Sequence, residues 1–285
     1  MGAGIAHAFA SSGFPTAVVD INEGALERAR ASIEKILSDG VRLGKLTESA
    51  STETMARLTV SKSLKDAAIG AALLLETASE TLALKLDIVR EADPVLAPDA
   101  IIGTNTSALS VTEIACAAAN PARVIGMHFF NPVHKMKLLE LVRGLATSES
   151  CIAEARAYGE AISKTVILVN DTPGLATSRL SALMGNEAMW MLAEGVASAE
   201  DIDTAVRLGF NHPMGPLELG DLTGWDTRLK VLQYLHSVMG DKYRPCPLII
   251  KMVKAGRIGR KASAGVYIYE NDKKLPDSGL RVGVL

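Results

Sequence analysis

The chain has 285 residues, enough for two domains or one large one, and its 48% apolar and 22% charged residues are the balance of an ordinary globular protein rather than a disordered or fibrous one. A formal net charge of −2 gives no electrostatic basis for nucleic acid or for an acidic membrane surface as partner. No apolar run approaches the ~18 residues of a membrane span, and the N-terminus lacks the order of a signal peptide. The three cysteines, Cys116, Cys151 and Cys246, are odd in number and far apart. They fit reduced thiols in a cytoplasmic protein, with neither a disulfide framework nor a metal site.

In chain order, residues 2–13 predict a helix that starts on small residues and ends at Gly13. An apolar run from Thr16 to Asp20 follows, a strand with a carboxylate at its tip. Glu23–Leu43 has helical periodicity, with Leu26, Ala29, Ile33, Ile36 and Leu37 on one face, and a short helix is expected before Arg57. Strands are then predicted at Leu58–Ser61, Ala72–Glu76 and Ala100–Thr104, with helices at Thr81–Val95, which Pro94 and Pro98 stop, and at Val111–Ala119. After the stretch Arg123–Gly144 come a helix at Cys151–Lys164 and a strand at Thr165–Val169. Alternation at this spacing implies an α/β domain with a mostly parallel sheet, Rossmann-like in form.

At Asp171-Thr172-Pro173-Gly174 the pattern changes. Helices are expected over about 175–195, 199–208, 214–240 and 246–255, Ser198 and Asp201 opening one of them as a capping box. Only Val266–Tyr269 reads as a strand. The expected division is therefore residues 1–170 as an α/β domain and 171–285 as an all-α domain.

The stretch RVIGMHFFNPVHKMKLLELVRG carries the most chemistry. Val124, Ile125 and Met127 form a buried run that delivers His128, and a second apolar run holds Glu140 in its middle. A carboxylate buried in such a run is costly unless paired. If the chain doubles back at Asn131-Pro132, His128 is its nearest attractive partner, and a histidine polarised by a carboxylate is a general base. A core histidine and a solvated strand glutamate is the plainer alternative from these residues alone.

Gly2 and Gly4 would let a helix N-terminus approach a pyrophosphate, and Asp20 could accept hydrogen bonds from a ribose diol, favouring NAD over its phosphorylated form. Half of that fingerprint is absent, so small residues packing a helix on a sheet explain the pattern equally. Thr104-Asn105-Thr106-Ser107 follows a buried strand, which puts its hydroxyls at the carboxyl edge of the sheet, where ligands bind in such folds. Ser107 or Ser110 could instead simply cap the next helix. Glu76, Glu80 and Lys85 follow the preceding strand; charges there often form only a solvated face.

Taken together, GAGIAHAFA, VVD, LLLETASET, TNTSALS, GMHFFNP, KLLELV, DTPG and HPMGPLELGDLTG resemble the 3-hydroxyacyl-CoA dehydrogenases, in order, from residue 1 to about 269. The resemblance is nearest to the short bacterial members that act on 3-hydroxybutyryl-CoA. It implies NAD-dependent interconversion of (S)-3-hydroxyacyl-CoA and 3-oxoacyl-CoA. His128 matches the base and Glu140 the carboxylate that orients it. Ser107 falls on a serine contacting substrate and cofactor, and Asn131 on a nicotinamide-side contact. Glu80 and Lys85 align with cofactor contacts, Asp20 with the ribose acid, and Gly2 with the third fingerprint glycine. Lys45 lies near the CoA-contacting region without a firm register. The resemblance also implies substrate between the domains and a homodimer formed by the helical one. A dehydrogenase of a hydroxy acid without CoA, and an inactive oligomeric relic, are the alternative expectations.

Two departures stand out. Where the family usually has Asn four residues after the DTPG glycine, this chain has Ser178, whose shorter hydroxyl is expected to alter substrate binding without abolishing activity. The family begins with an apolar strand and G-x-G-x-x-G, whereas Met1 here falls just before the third glycine. The first strand and two glycines are therefore missing, and the sequence reads as a fragment or a late-called start. A lesser possibility is that Leu280–Leu285 (LRVGVL) fills the strand's place.

Overall fold

The computed structural model describes residues 1–281 and divides into two units, Met1–Thr172 and Pro173–Leu285. The first opens with α1 (Gly2–Ser11), β1 (Thr16–Val19), α2 (Glu23–Arg42), α3 (Glu48–Ala56) and β2 (Leu58–Ser61). It continues with α4 (Leu64–Ala68), β3 (Leu73–Glu76), α5 (Leu82–Ala92), β4 (Ile101–Thr104) and α6 (Val111–Ala115). It closes with β5 (Val124–Phe129), β6 (Leu138–Arg143), α7 (Glu149–Ala161) and β7 (Thr165–Asn170). Asn22, Thr47, Ser63, Ser110 and Ser148 each accept from the N–H three residues on, which satisfies a helix-start donor that would otherwise lack a partner.

The strands form two sheets. β1 and β2 pair in parallel, and β3-β4-β5-β6-β7 is a five-stranded sheet, parallel except where β6 runs against β5. Every residue of β4 and β5 is buried, which is why these strands read as continuous apolar runs instead of alternating ones. α1 serves both sheets. Its Ile5, Ala8 and Phe9 share a core with Ile101, Ile125 and Met127 of the larger sheet, while Ala6 packs with Ile33, Leu37 and Val18 beside the smaller. The architecture is the expected Rossmann-like α/β unit followed by a helical one.

The second unit holds α8 (Thr177–Ala193), α9 (Ala199–Gly209), α10 (Pro216–Thr223), α11 (Trp225–Met239) and α12 (Pro247–Lys254), with a hairpin of β8 (Tyr269–Glu270) and β9 (Lys273–Lys274). Ser198 caps α9 through the Asp201 N–H at 3.1 Å, as its spacing predicts. Its core gathers Met189, Leu192, Leu217, Trp225, Leu232 and Tyr267.

Four expectations are corrected. The helix expected over 111–119 stops at Ala115, because the Ala119 N–H turns away to the Asp93 carboxylate at 2.9 Å. The single helix expected over 214–240 breaks at Gly224, whose φ of +93° glycine tolerates and other residues resist. The strand expected at Val266–Tyr269 is mostly replaced by side-chain anchoring. Asp221 accepts the Val266 and Tyr267 N–H groups at 2.8 Å each and the Tyr269 hydroxyl at 3.0 Å, so these residues need no strand partner. Burial pushes the Asp221 carboxyl up, and these donors, with the Trp225 indole N–H at 2.7 Å, pull it back. Finally, Leu280 donates its N–H to the Val266 carbonyl and packs on the second unit's core, so it does not enter the first unit's sheet. The rest of the proposed strand, 282–285, lies outside the described residues.

The three cysteines form no disulfide; Cys151 and Cys246 are buried, and burial pushes the Cys151 thiol up to about 12. Among the described residues no helix is long and apolar enough to cross a membrane.

Candidate active site

β5 and β6 form an antiparallel pair in which His128 stands directly opposite Glu140. Directly opposed residues of such a pair point to the same face, so register alone brings the two side chains together. Nδ1 of His128 lies 2.7 Å from Oε2 of Glu140. Glu140 has no solvent exposure and His128 retains 7%. An ionised carboxylate only accepts, so beside it a neutral imidazole donates from Nδ1 and keeps its lone pair at Nε2. The Phe130 ring packs at 4.6 Å, tilted 52° to the imidazole. Gly126 permits this close pairing: a Cβ there would fall 2.6 Å from Val142 Cβ.

The loop after β4 folds beside this pair of strands. The Asn105 N–H donates to the Glu76 carbonyl at 2.8 Å, and the Asn105 side-chain Oδ1 accepts the Phe129 N–H at 2.8 Å. The hydroxyls of this loop do not all face outward as expected. Thr104 is fully buried and donates to Glu76 Oε2 at 2.7 Å, and Thr106 donates to Glu80 Oε1 at 2.5 Å. Ser107 remains half-buried, its N–H donating to Glu80 at 2.9 Å. Ser110 caps α6 and donates its hydroxyl to Asp171 at 2.7 Å.

Beneath the loop lies an ion network. Lys85, on α5, is fully buried and donates to both oxygens of buried Glu76 at 2.9 Å, with the Ala78 carbonyl at 3.3 Å and Glu80 Oε2 at 3.5 Å. Lys85 is thus enclosed by protein groups, and its neighbour Glu80 is engaged by the 106–108 turn while staying partly exposed. Two charges taken out of water need such mutual pairing to be tolerated.

Asn131 follows β5, is exposed, and forms a cis peptide with Pro132. The loop beyond it is fixed by Lys164, whose ammonium donates to the Val133 and Met136 carbonyls at 2.5 and 2.8 Å. Burial holds the Lys164 ammonium below the ordinary lysine range. Ser178 is half-buried on the first turn of α8, in the second unit.

The groups that could hold a dinucleotide lie at the start of α1 and past β1. α1 opens on Gly2 and Gly4 with no acid in its first turn, so its dipole would favour an anion there. A Cβ at Gly2 would fall 2.8 Å from Thr77 Oγ1, so the helix start lies close to the chain leaving β3. Asp20 is exposed just past the tip of β1. Sequence reading missed Asn105 and Lys164; an amide directly after a buried strand was the one available signal for the former.

A model of the 3-hydroxyacyl-CoA dehydrogenase NAD-binding domain matches residues 1–172, and one of the C-terminal domain of the same family matches residues 174–269. The chain is 44% identical to a probable 3-hydroxybutyryl-CoA dehydrogenase of Bacillus subtilis, over 95% of this chain and 94% of that one. It is 41% identical to a 3-hydroxybutyryl-CoA dehydrogenase of Bradyrhizobium diazoefficiens, over 97% and 94%. Among solved structures, an (S)-3-hydroxybutyryl-CoA dehydrogenase from Ralstonia eutropha superposes with a TM-score of 0.91 at 40% identity, covering 95% of this chain and 96% of that one.

Proposed function

Since the chain belongs to the 3-hydroxyacyl-CoA dehydrogenase family of NAD-dependent oxidoreductases, we propose that it oxidises (S)-3-hydroxybutyryl-CoA to acetoacetyl-CoA, with His128 as the base and Glu140 as its positioning carboxylate. The observation that carries this reading is the 2.7 Å contact between a nearly buried imidazole and a fully buried carboxylate. NAD, when bound, accepts the hydride leaving C3 of the substrate. Nε2 of His128 takes the hydroxyl proton, and Glu140 stabilises the imidazolium that results. Ser107 contributes a hydroxyl to the reacting alcohol. Asp20 and the start of α1 hold the adenosine ribose and pyrophosphate, Asn131 meets the nicotinamide side, and Lys85 acts on the cofactor through Glu80, because its own ammonium is enclosed.

Acetoacetyl-CoA is expected to oxidise NADH in a spectrophotometric assay, at a kcat/KM at least 10²-fold above that for free acetoacetate. Equal rates with the free acid would favour a hydroxy-acid dehydrogenase that does not need CoA, and failure to bind NADH in a fluorescence titration would favour an inactive relic.

The helical unit is the proposed surface for a second copy. Leu180, Leu208 and Phe210 on and just after α8 and α9 are 69%, 72% and 70% exposed, apolar side chains that a second copy would cover. Light scattering is expected to give a two-chain mass for the protein and a one-chain mass for Phe210→Asp; a one-chain mass for the unmutated protein refutes the pairing.

A further inference from the structure

We infer that Asn105 is a positioning residue for the reaction, setting the spacing between the base and the loop that carries Ser107. This rests on His128 acting as the base. β4 and β5 run in parallel register only as far as Thr104 opposite Gly126. Beyond that point the ladder stops, yet the Phe129 N–H still needs an acceptor. Asn105 supplies it from its side chain, Oδ1 standing 2.8 Å from that nitrogen. Its own backbone N–H is meanwhile tied to the Glu76 carbonyl at 2.8 Å, so the residue that reaches across is itself anchored to β3.

The Phe129 N–H belongs to the peptide group that His128 shares with its successor. Fixing that plane limits rotation of the His128 backbone from the side opposite Glu140's strand. Glu140 holds the ring at Nδ1, but a ring held at one nitrogen can still swing with its backbone. Ser107, two residues beyond Asn105, has its own N–H held by Glu80 at 2.9 Å. One amide therefore joins the segment bearing the proton acceptor to the segment bearing the substrate hydroxyl contact. Displacements of about 1 Å between reacting groups can lower rates by about 10²-fold.

The test is a cycle of variants assayed with acetoacetyl-CoA and NADH. Asn105→Ala is expected to lower kcat by about 10- to 100-fold with KM within about threefold, because geometry rather than ground-state binding is lost. Asn105→Asp keeps an acceptor of the same shape and is expected to recover kcat to within about fivefold of the unmutated enzyme. In a His128→Ala background, Asn105→Ala is expected to add no further loss, since the residue acts through the imidazole. Unchanged kcat in Asn105→Ala, an equal loss in Asn105→Asp, or a full additional loss in the double variant each overturns the inference. Should Asn105→Ala fail to fold, Asn105→Ser, whose shorter side chain cannot reach the Phe129 N–H as the amide does, takes its place with the same expected loss, and unchanged kcat in that variant overturns the inference. Normal turnover of His128→Ala by itself refutes the base assignment, and with it this inference, through a variant in which Asn105 is intact.

Discussion

Replacing His128 with alanine is expected to lower kcat by 10² or more while leaving NAD affinity within about threefold. A positioned base is worth about 10²–10⁴ in rate. The imidazole stands on β5, opposite Glu140, whereas the groups proposed to hold the dinucleotide lie at the start of α1 and just past the tip of β1. Alanine removes the ring from beside a carboxylate with no solvent exposure, so a loss of stability will accompany the loss of rate. His128→Gln separates the two effects, since its amide can still donate to Glu140 but cannot take a proton at neutral pH. Both variants should share the kinetic defect, with the melting temperature less affected in the glutamine variant. Glu140→Gln should cost about tenfold or more in kcat, because a neutral partner orients the ring without stabilising its charged form. Turnover near normal in His128→Gln, read by stopped-flow or steady-state NADH absorbance, would remove His128 from its role.

The second large effect concerns stability. Lys85→Met is expected to destabilise the protein by about 3–5 kcal/mol, because it strips the cation from buried Glu76 while leaving the carboxylate in place. In a chain of this size that lowers the melting temperature by about 10 °C. The loss should also reach NAD affinity, since Glu80, which holds the Thr106 hydroxyl and the Ser107 and Ala108 N–H groups, loses its cationic neighbour. A Glu76→Leu, Lys85→Met double variant removes both charges and should regain at least half of the lost stability. Thermal unfolding of the two variants decides the matter: a single variant as stable as the unmutated protein would show that the pair is not the electrostatic keystone of the loop.

Much of the fold was legible because buried parallel strands and capped helices leave local signatures. Val124–Met127 and Ala100–Thr104 read as buried strands from composition alone, and Ser198 announced its helix by spacing. The meeting of His128 and Glu140 was legible only as a conditional, since it required the chain to double back at Asn131-Pro132, and the residues alone favoured a core histidine and a solvated glutamate; the antiparallel register is what brings the two together. What stayed hidden depends on partners distant in sequence. The enclosure of Lys85 is created by Glu76 nine residues earlier and by a loop arriving from residues 104–108, and no periodicity within α5 reports it. The Val266–Tyr269 run looked like a strand because its side chains are right for one, while its N–H groups are claimed by Asp221 about 45 residues away. The break at Gly224 was in principle visible as a glycine, but glycine inside a helical pattern signals a stop only when the backbone adopts positive φ.

The antiparallel turn of β6 within an otherwise parallel sheet gives the imidazole–carboxylate distance an all-or-nothing character. A ladder slips only in whole-residue steps, and a single step would swing Glu140 to the far face while presenting Leu139 or Leu141 to the ring. Insertions or deletions confined to the connecting segment 130–137 leave that alignment untouched, whereas one residue gained or lost inside either strand abolishes it. Natural variation can therefore rework the connecting turn, and whatever it contacts, without detuning the acid–imidazole couple by degrees.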